Sequence, residues 1–147
     1  MTRVLIAVAL VVVALVIAYV LERRRPAPPT QPTWAVPGQL DRNDFDGPGV
    51  PWLVAVFTSA TCTTCAGVIA KALPLANDDV VVQEVEVQAR KDLHDRYSID
   101  AVPTLVVADS LGVVRGSLVG PASAEEIWSA VSAVRDGGDA GAGAGAG

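Results

Sequence analysis

The sequence is short of several residue types, and each shortage excludes something. It has only two cysteines, so no multi-disulfide scaffold is available, and a closed four-thiolate zinc site cannot form. It has one histidine, His94, too few for a histidine-rich metal centre and a poor basis for acyl-transfer chemistry. No glycine-rich phosphate loop and no Ser-His-Asp constellation are present. Basic residues are scarce where a folded domain would lie. From Gly38 onward, seven Lys or Arg stand against fifteen Asp or Glu, a net of −8. Phosphate backbones require a basic face, so DNA and RNA are not partners of that region.

The 147 residues correspond to one small domain with appendages. Residues 1–3 form a short N-terminal flank. Residues 4–21, VLIAVALVVVALVIAYVL, carry no charge over eighteen positions. As a helix this run would be roughly 27 Å long, enough for a bilayer core, and it predicts a single N-terminal transmembrane helix. A cleaved signal peptide is the rival reading, with Val16-Ile17-Ala18 as an imperfect cleavage site; the apolar run is longer than a signal core requires. Arg23-Arg24-Arg25 follows the run, against Arg3 before it. The positive-inside rule then favours a cytoplasm-facing domain over the outer face, as a single-pass protein of a bacterial plasma membrane.

Residues 22–38 form an Arg/Pro-rich linker, with five prolines between Arg25 and Gly38. This composition favours extended polyproline geometry and makes a semi-rigid spacer. Trp34 within it suits a membrane interface. Residues 136–147 are Gly/Ala repeats that cannot bury enough surface to order, and are expected to be a disordered tail.

Residues 39–135 carry the domain. Leu40 to Phe45 has the makings of a short helix. Trp52 to Phe57, WLVAVF, is a continuous apolar run of the kind that forms a strand covered on both faces. Thr61 is expected to cap a helix from Cys62 to about Leu73, with Val68, Ile69, Ala72 and Leu73 on its buried face. A β-branched strand follows from Val80 to Val87, then a polar, exposed helix from Ala89 to Tyr97 that includes His94. Thr104 to Ala108 and Val113 to Val119 form a hairpin around Asp109–Gly112. Ser123 and Glu126 make a capping box for a final helix whose apolar face is Ile127, Trp128, Val131 and Val134. Trp52 and Trp128 are expected in the core. The fold class is α/β: a central, mostly parallel sheet of about four strands, made mixed by an antiparallel edge, with helices on both faces.

Both cysteines fall in one motif, Cys62-Thr63-Thr64-Cys65. With His94 they number three ligands at most, one short of a structural zinc site, so no metal is expected. A purely structural disulfide over so few residues gains little chain entropy. Redox chemistry fits better. The pair follows a strand and opens a helix, whose unpaired amides and dipole favour a thiolate. Cys62 is then the exposed nucleophile and Cys65 the shielded resolving thiol. No cofactor is required beyond a redox-active Cys62–Cys65 disulfide.

With Cys62-Thr63-Thr64-Cys65 after WLVAVF, and Ala101-Val102-Pro103-Thr104 before TLVVA, the segment from Trp52 to Val134 resembles thioredoxin. The resemblance implies a cis peptide before Pro103, with Val102 and Pro103, together with Thr63 and Thr64, forming the substrate-binding surface, and it matches Gly120 to the family's hairpin glycine. It also implies partners: proteins carrying disulfides or dithiols, and an unidentified electron donor or acceptor. Three departures stand out. Thr61 replaces the tryptophan before the first cysteine. Val56 occupies the place of a buried carboxylate. Glu84 falls near the family's buried lysine. Glu84 and Glu86 are either a substitute proton relay or solvated strand-end residues. The two functional readings are a membrane-tethered thiol–disulfide oxidoreductase and a non-catalytic adaptor of a membrane complex with vestigial or redox-sensing cysteines.

Overall fold

The computed structural model describes residues 34–137, together with Met1. The span expected over residues 4–21, the linker up to residue 33 and the tail from residue 138 lie outside the described residues. Among the described residues, no helix is long and apolar enough to cross a membrane.

Seven elements build the domain: β1 (Trp52–Thr58), α1 (Cys65–Ala72), β2 (Val80–Glu86), α2 (Lys91–Arg96), β3 (Thr104–Ala108), β4 (Val114–Val119) and α3 (Ala124–Arg135). The short helix expected at Leu40–Phe45 is a single 3-10 turn over Arg42–Asp44, capped by the Asp41 side chain. The strands lie in the order β2-β1-β3-β4. β1 and β2 are parallel, whereas β1–β3 and β3–β4 are antiparallel. The sheet is therefore mixed, as expected, but not mostly parallel. A strand's direction depends on how the chain re-enters the sheet, and the sequence between β2 and β3 does not encode that.

β1 is the centre of the core. Leu53, Val54, Ala55, Val56 and Phe57 have no exposed surface, because a neighbouring strand lies on each side and helices cover both faces. On one face Val54 and Val56 meet Val68 and Ala72 of α1 and Ile127, Val131 and Val134 of α3. On the other, Leu53, Ala55 and Phe57 meet Leu93, Tyr97, Leu40 and Phe45. Alternate residues of one strand thus serve two cores.

The capping box at the start of α3 forms as its sequence requires: Glu126 N–H donates to Ser123 Oγ, and Ser123 N–H donates to the Glu126 carboxylate. Trp128 departs from expectation. It is 48% exposed, with Nε1 donating to the Lys71 carbonyl at 3.0 Å. Ile127, Val131 and Val134 fill the inward stripe and leave the neighbouring position at its margin. Trp52 is partly buried against the α1/α3 core. Leu73, expected on the buried face of α1, is exposed. Pro74 lacks the N–H needed to continue the α-helix, and the chain tightens into a 3-10 turn over Leu73–Leu75 that turns Leu73 outward.

His94 departs from expectation as well. It is buried, not exposed: Nε2 lies 2.8 Å from the Val85 carbonyl and its ring meets Phe57 edge-on at 5.2 Å. α2 is short, six residues, and presents Leu93, His94 and the following Tyr97 to the sheet. A polar composition concealed this inward face. Gly112, in the β3–β4 turn, sits at φ +79°, and a Cβ there would lie 1.9 Å from the Leu40 carbonyl oxygen. Only glycine fits that close approach.

Tyr97 ties α2 to the 3-10 turn. Its hydroxyl donates to Asp44 at 2.5 Å and accepts from Asp41 N–H. Burial, reinforced by the Asp44 hydrogen bond, pushes its pKa from 10 up to about 12. The neutral phenol is the form the fold favours. Its stabilisation is therefore complete below pH 10 and is lost as pH rises through 12. An absorbance titration of tyrosinate should show Tyr97 ionising near pH 12, with the denaturation midpoint falling over the same interval. Tyr97→Phe should flatten that alkaline decline.

Candidate active site at the carboxyl end of the central strand

Sheet register brings four segments to one end of the domain. β1 and β2 both finish there, because they are parallel and Thr58 pairs with Glu86. β3 begins there, since Phe57 pairs with Thr104, and β4 ends there, since Thr104 pairs with Val119. Thr58 leads into the cysteine loop, Pro103 precedes β3, and Gly120 follows β4.

The cysteine loop is a turn followed by a helix start. Cys62 N–H donates to the Ser59 carbonyl at 3.0 Å, closing a turn. Thr63 and Thr64 are exposed, and α1 begins at Cys65. This corrects the expected start at Cys62, and with it the expected cap. Thr64 occupies the cap position without a side-chain hydrogen bond, while Thr61 Oγ1 pairs with Ser59 Oγ at 3.1 Å. Cys62 is held out of the helix because its amide closes the preceding turn.

Cys62 and Cys65 are joined by a disulfide, with S–S 2.12 Å and Cα–Cα 5.5 Å. The two sulfurs are not equivalent. Cys65 is 3% exposed, whereas Cys62 is half-buried beside exposed threonines, with Sγ 3.7 Å from Thr64 Oγ1. Cys62 is partly accessible to solvent, and Cys65, at the first position of the helix, is shielded.

The Val102–Pro103 peptide is cis. Pro103 is buried and Val102 half-buried. Among the described residues, the Val102 N–H and carbonyl take part in no hydrogen bond. Gly120, at φ +92°, donates its N–H to the Pro103 carbonyl at 2.8 Å and ties the end of β4 to the proline loop. Thr104 Oγ1 donates to the Ala101 carbonyl at 2.8 Å from the other side.

Two contacts of the site have no signature in the sequence. Thr58 is buried, and its hydroxyl donates to Glu84 Oε1 at 2.7 Å. Glu86 accepts from Ala60 N–H at 3.1 Å through Oε1 and from Ala89 N–H at 3.0 Å through Oε2. Glu86 therefore anchors the cysteine loop to β2 and is not a freely solvated strand end. Glu84 is exposed apart from its Thr58 contact, and it stands beside Val56 in the register. The parallel pairing of β1 with β2 creates the Thr58–Glu84 and Ala60–Glu86 contacts, and no local motif encodes that pairing. Among the described residues, no cluster of His, Cys, Asp or Glu could hold a metal ion. A cavity of about 550 Å³ bordered by Leu40, Arg42, Tyr97 and Leu111 opens at the opposite end of the sheet, away from the cysteines.

A strand that ends in a Cys-x-x-Cys loop at the start of a helix, with a cis-proline loop at the same end of the sheet, defines a thioredoxin-like α/β domain with a disulfide-forming cysteine pair. The thioredoxin family model matches residues 49–133, and the chain belongs to that family. No curated protein sequence matches the chain. Among solved structures, thioredoxin O2 from Arabidopsis thaliana in the oxidised state is similar at 24% identity and a TM-score of 0.51, over 63% of this chain and 87% of that one. A malarial protein is similar at 13% identity and a TM-score of 0.50, over 56% of this chain and 94% of that one. At these identities the likeness concerns the fold.

Proposed function

We propose that this chain is a membrane-tethered thiol–disulfide oxidoreductase acting on protein substrates. The observation that carries the proposal is the unequal exposure of two sulfurs already close enough to bond: Cys62 reachable, Cys65 buried. In the reduced state the Cys62 thiolate attacks one sulfur of a substrate disulfide. A Cys62–substrate bond forms, the substrate S–S bond breaks, and the released substrate thiolate takes a proton. Cys65, as thiolate, then attacks Cys62 Sγ. The Cys62–Cys65 disulfide forms, the second substrate thiol leaves, and the substrate has gained two electrons and two protons. A dithiol donor returns the pair to its reduced state. Run backwards, the same steps oxidise a substrate dithiol.

Proximity makes the second attack fast. Cys65 competes as an intramolecular nucleophile and cuts short the mixed disulfide. The free N–H and carbonyl of Val102 offer main-chain pairing to an extended substrate segment, with Thr63 and Thr64 at its edge and Pro103 shaping the loop from beneath. The helix-start amides behind Cys65 favour negative charge on the sulfur pair.

In a coupled assay, the 147-residue chain should accelerate reduction of a protein disulfide by dithiothreitol well beyond the uncatalysed rate. A rate equal to that background overturns the proposal. The adaptor reading draws on one observation, the fully buried Val56 in place of a carboxylate that would serve the resolving thiol. It requires an unaccelerated rate in that same assay.

The tether is proposed from the apolar run at 4–21 and its arginine flank. It would hold the domain near membrane-bound or membrane-proximal clients, at raised local concentration. The same arginines favour the cytoplasmic face, where the site would chiefly reduce. A reporter joined to the C-terminus should be active on the cytoplasmic side. Activity confined to the outer side reverses the orientation and makes a transmembrane electron donor, or oxidation of clients, the working direction.

A further inference from the structure

The segments that neighbour the cysteine loop carry more negative than positive charge. Sheet register sets the ends of β1 and β2 and the beginning of β3 side by side, and β2 and the segment leading into β3 carry carboxylates towards that end. Glu84 and Glu86 close β2. Glu86 Oε1 lies 3.1 Å from the amide of Ala60, which is two residues from Cys62. Chain geometry therefore keeps this carboxylate within on the order of 10 Å of the cysteine. Asp100, exposed, stands two residues before Val102. Glu125 and Glu126, both exposed, open α3 shortly after Gly120.

The two cations on these neighbouring segments are each engaged. Lys71 Nζ donates to the Ala122 carbonyl at 2.8 Å and lies in the field of Glu126. Arg90 is engaged twice by Asp92, at 3.1 and 3.2 Å. The loop that holds the sulfurs, Ser59 to Ala66, has no charged residue of its own. A substrate segment approaching Cys62 and Val102 therefore meets an uncharged loop whose neighbouring segments carry five carboxylates, those of Glu84, Glu86, Asp100, Glu125 and Glu126. At about 0.01 M salt the Debye length is roughly 30 Å, so carboxylates carried by the segments next to the cysteine loop act on the encounter there.

Resting on the oxidoreductase reading above, we infer that this site selects disulfides flanked by cationic residues and disfavours those flanked by acidic ones. Glu84, Asp100 and Glu125 are the specificity-determining groups, acting through the field at the rim and not on the sulfur chemistry. Attraction raises the rate of productive encounter with a basic segment, and like-charge repulsion lowers it for an acidic one. Glu86 and Glu126 add to the field while also holding backbone amides.

The test uses three fluorogenic peptides that share one disulfide and differ only in two flanking residues: two Lys, two Gln or two Glu. The 147-residue chain, driven by dithiothreitol, should reduce the Lys peptide about tenfold faster than the Glu peptide at low ionic strength, with the Gln peptide between. The ratio should fall towards one in about 0.5 M NaCl, as screening shortens the reach of the carboxylates. The triple variant Glu84→Gln, Asp100→Asn, Glu125→Gln should bring the three low-salt rates together. Each substitution keeps its side chain's shape, and the amide oxygen that Glu84→Gln introduces can still accept from Thr58. The salt series on the unmutated chain tests the same point without any variant. Equal rates for the Lys and Glu peptides at low salt overturn the inference and leave the oxidoreductase reading standing. If no peptide is reduced faster than with Cys62→Ser, the oxidoreductase reading falls and the inference falls with it.

Discussion

Cys62→Ser should reduce dithiothreitol-driven disulfide reduction to the uncatalysed background, a loss on the order of 10³-fold or more, the scale on which removing a nucleophile acts. A serine hydroxyl cannot take the thiolate's part in sulfur exchange, and Cys65 cannot substitute, because at 3% exposure a folded substrate cannot reach it. Cys65→Ser behaves differently. Attack by Cys62 survives, but the mixed disulfide has no internal thiol to resolve it. Non-reducing electrophoresis should therefore show a covalent enzyme–substrate species that accumulates with Cys65→Ser, is absent with Cys62→Ser, and disappears on adding excess dithiol. If Cys62→Ser retained the full rate, or if the two variants trapped substrate equally, the assignment of attacking and resolving roles would be wrong.

Phe57→Ala should destabilise the domain by about 3–5 kcal/mol. The ring is fully buried, meets His94 edge-on at 5.2 Å, and lies 6.4 Å from Tyr97 between centroids. Truncation loses the transfer free energy of the ring. It also leaves a cavity walled by β1 and by the short helix α2, which has few other contacts through which to collapse inward. Against a total stability of about 5–15 kcal/mol, this is a large fraction. Phe57→Leu, which keeps more of the volume, should cost distinctly less. Urea midpoints measure both. Phe57 lies one residue before Thr58, at the base of the cysteine loop, but its side chain points to the opposite face from Val56. Activity per folded molecule should therefore hold while the folded fraction falls. A change of less than about 1 kcal/mol on Phe57→Ala would contradict this account of the second core.

Val56 and Glu84 show how the site departs from the proton-relay arrangement implied by the family resemblance. They are adjacent across the β1–β2 ladder, one fully buried and apolar, the other exposed and hydrogen-bonded to Thr58. The polar group on this face thus sits at the strand edge, within reach of solvent. A buried carboxylate at position 56 would carry a heavy desolvation cost among Val54, Val68 and Ile127, which valine avoids.

Much of the domain was legible in the sequence because its signals are local. WLVAVF and TLVVA are apolar runs that only buried strands use at that length, and Ser123 with Glu126 satisfies helix amides three residues apart. Two cysteines separated by two residues are within bonding reach once a helix starts at the second. These features depend on neighbours within a turn or a strand, so no knowledge of the rest of the chain is needed to read them. The tertiary structure alone decided the rest. It set β3 antiparallel beside β1, turned His94 inward onto Phe57, left Trp128 at the margin of α3, delayed the helix to Cys65 and brought Glu86 to the amide of Ala60. Each of those outcomes depends on which distant segments become neighbours. That choice is made by burial and hydrogen-bond satisfaction across the whole sheet, and these are sums over the entire fold that no short window of residues contains.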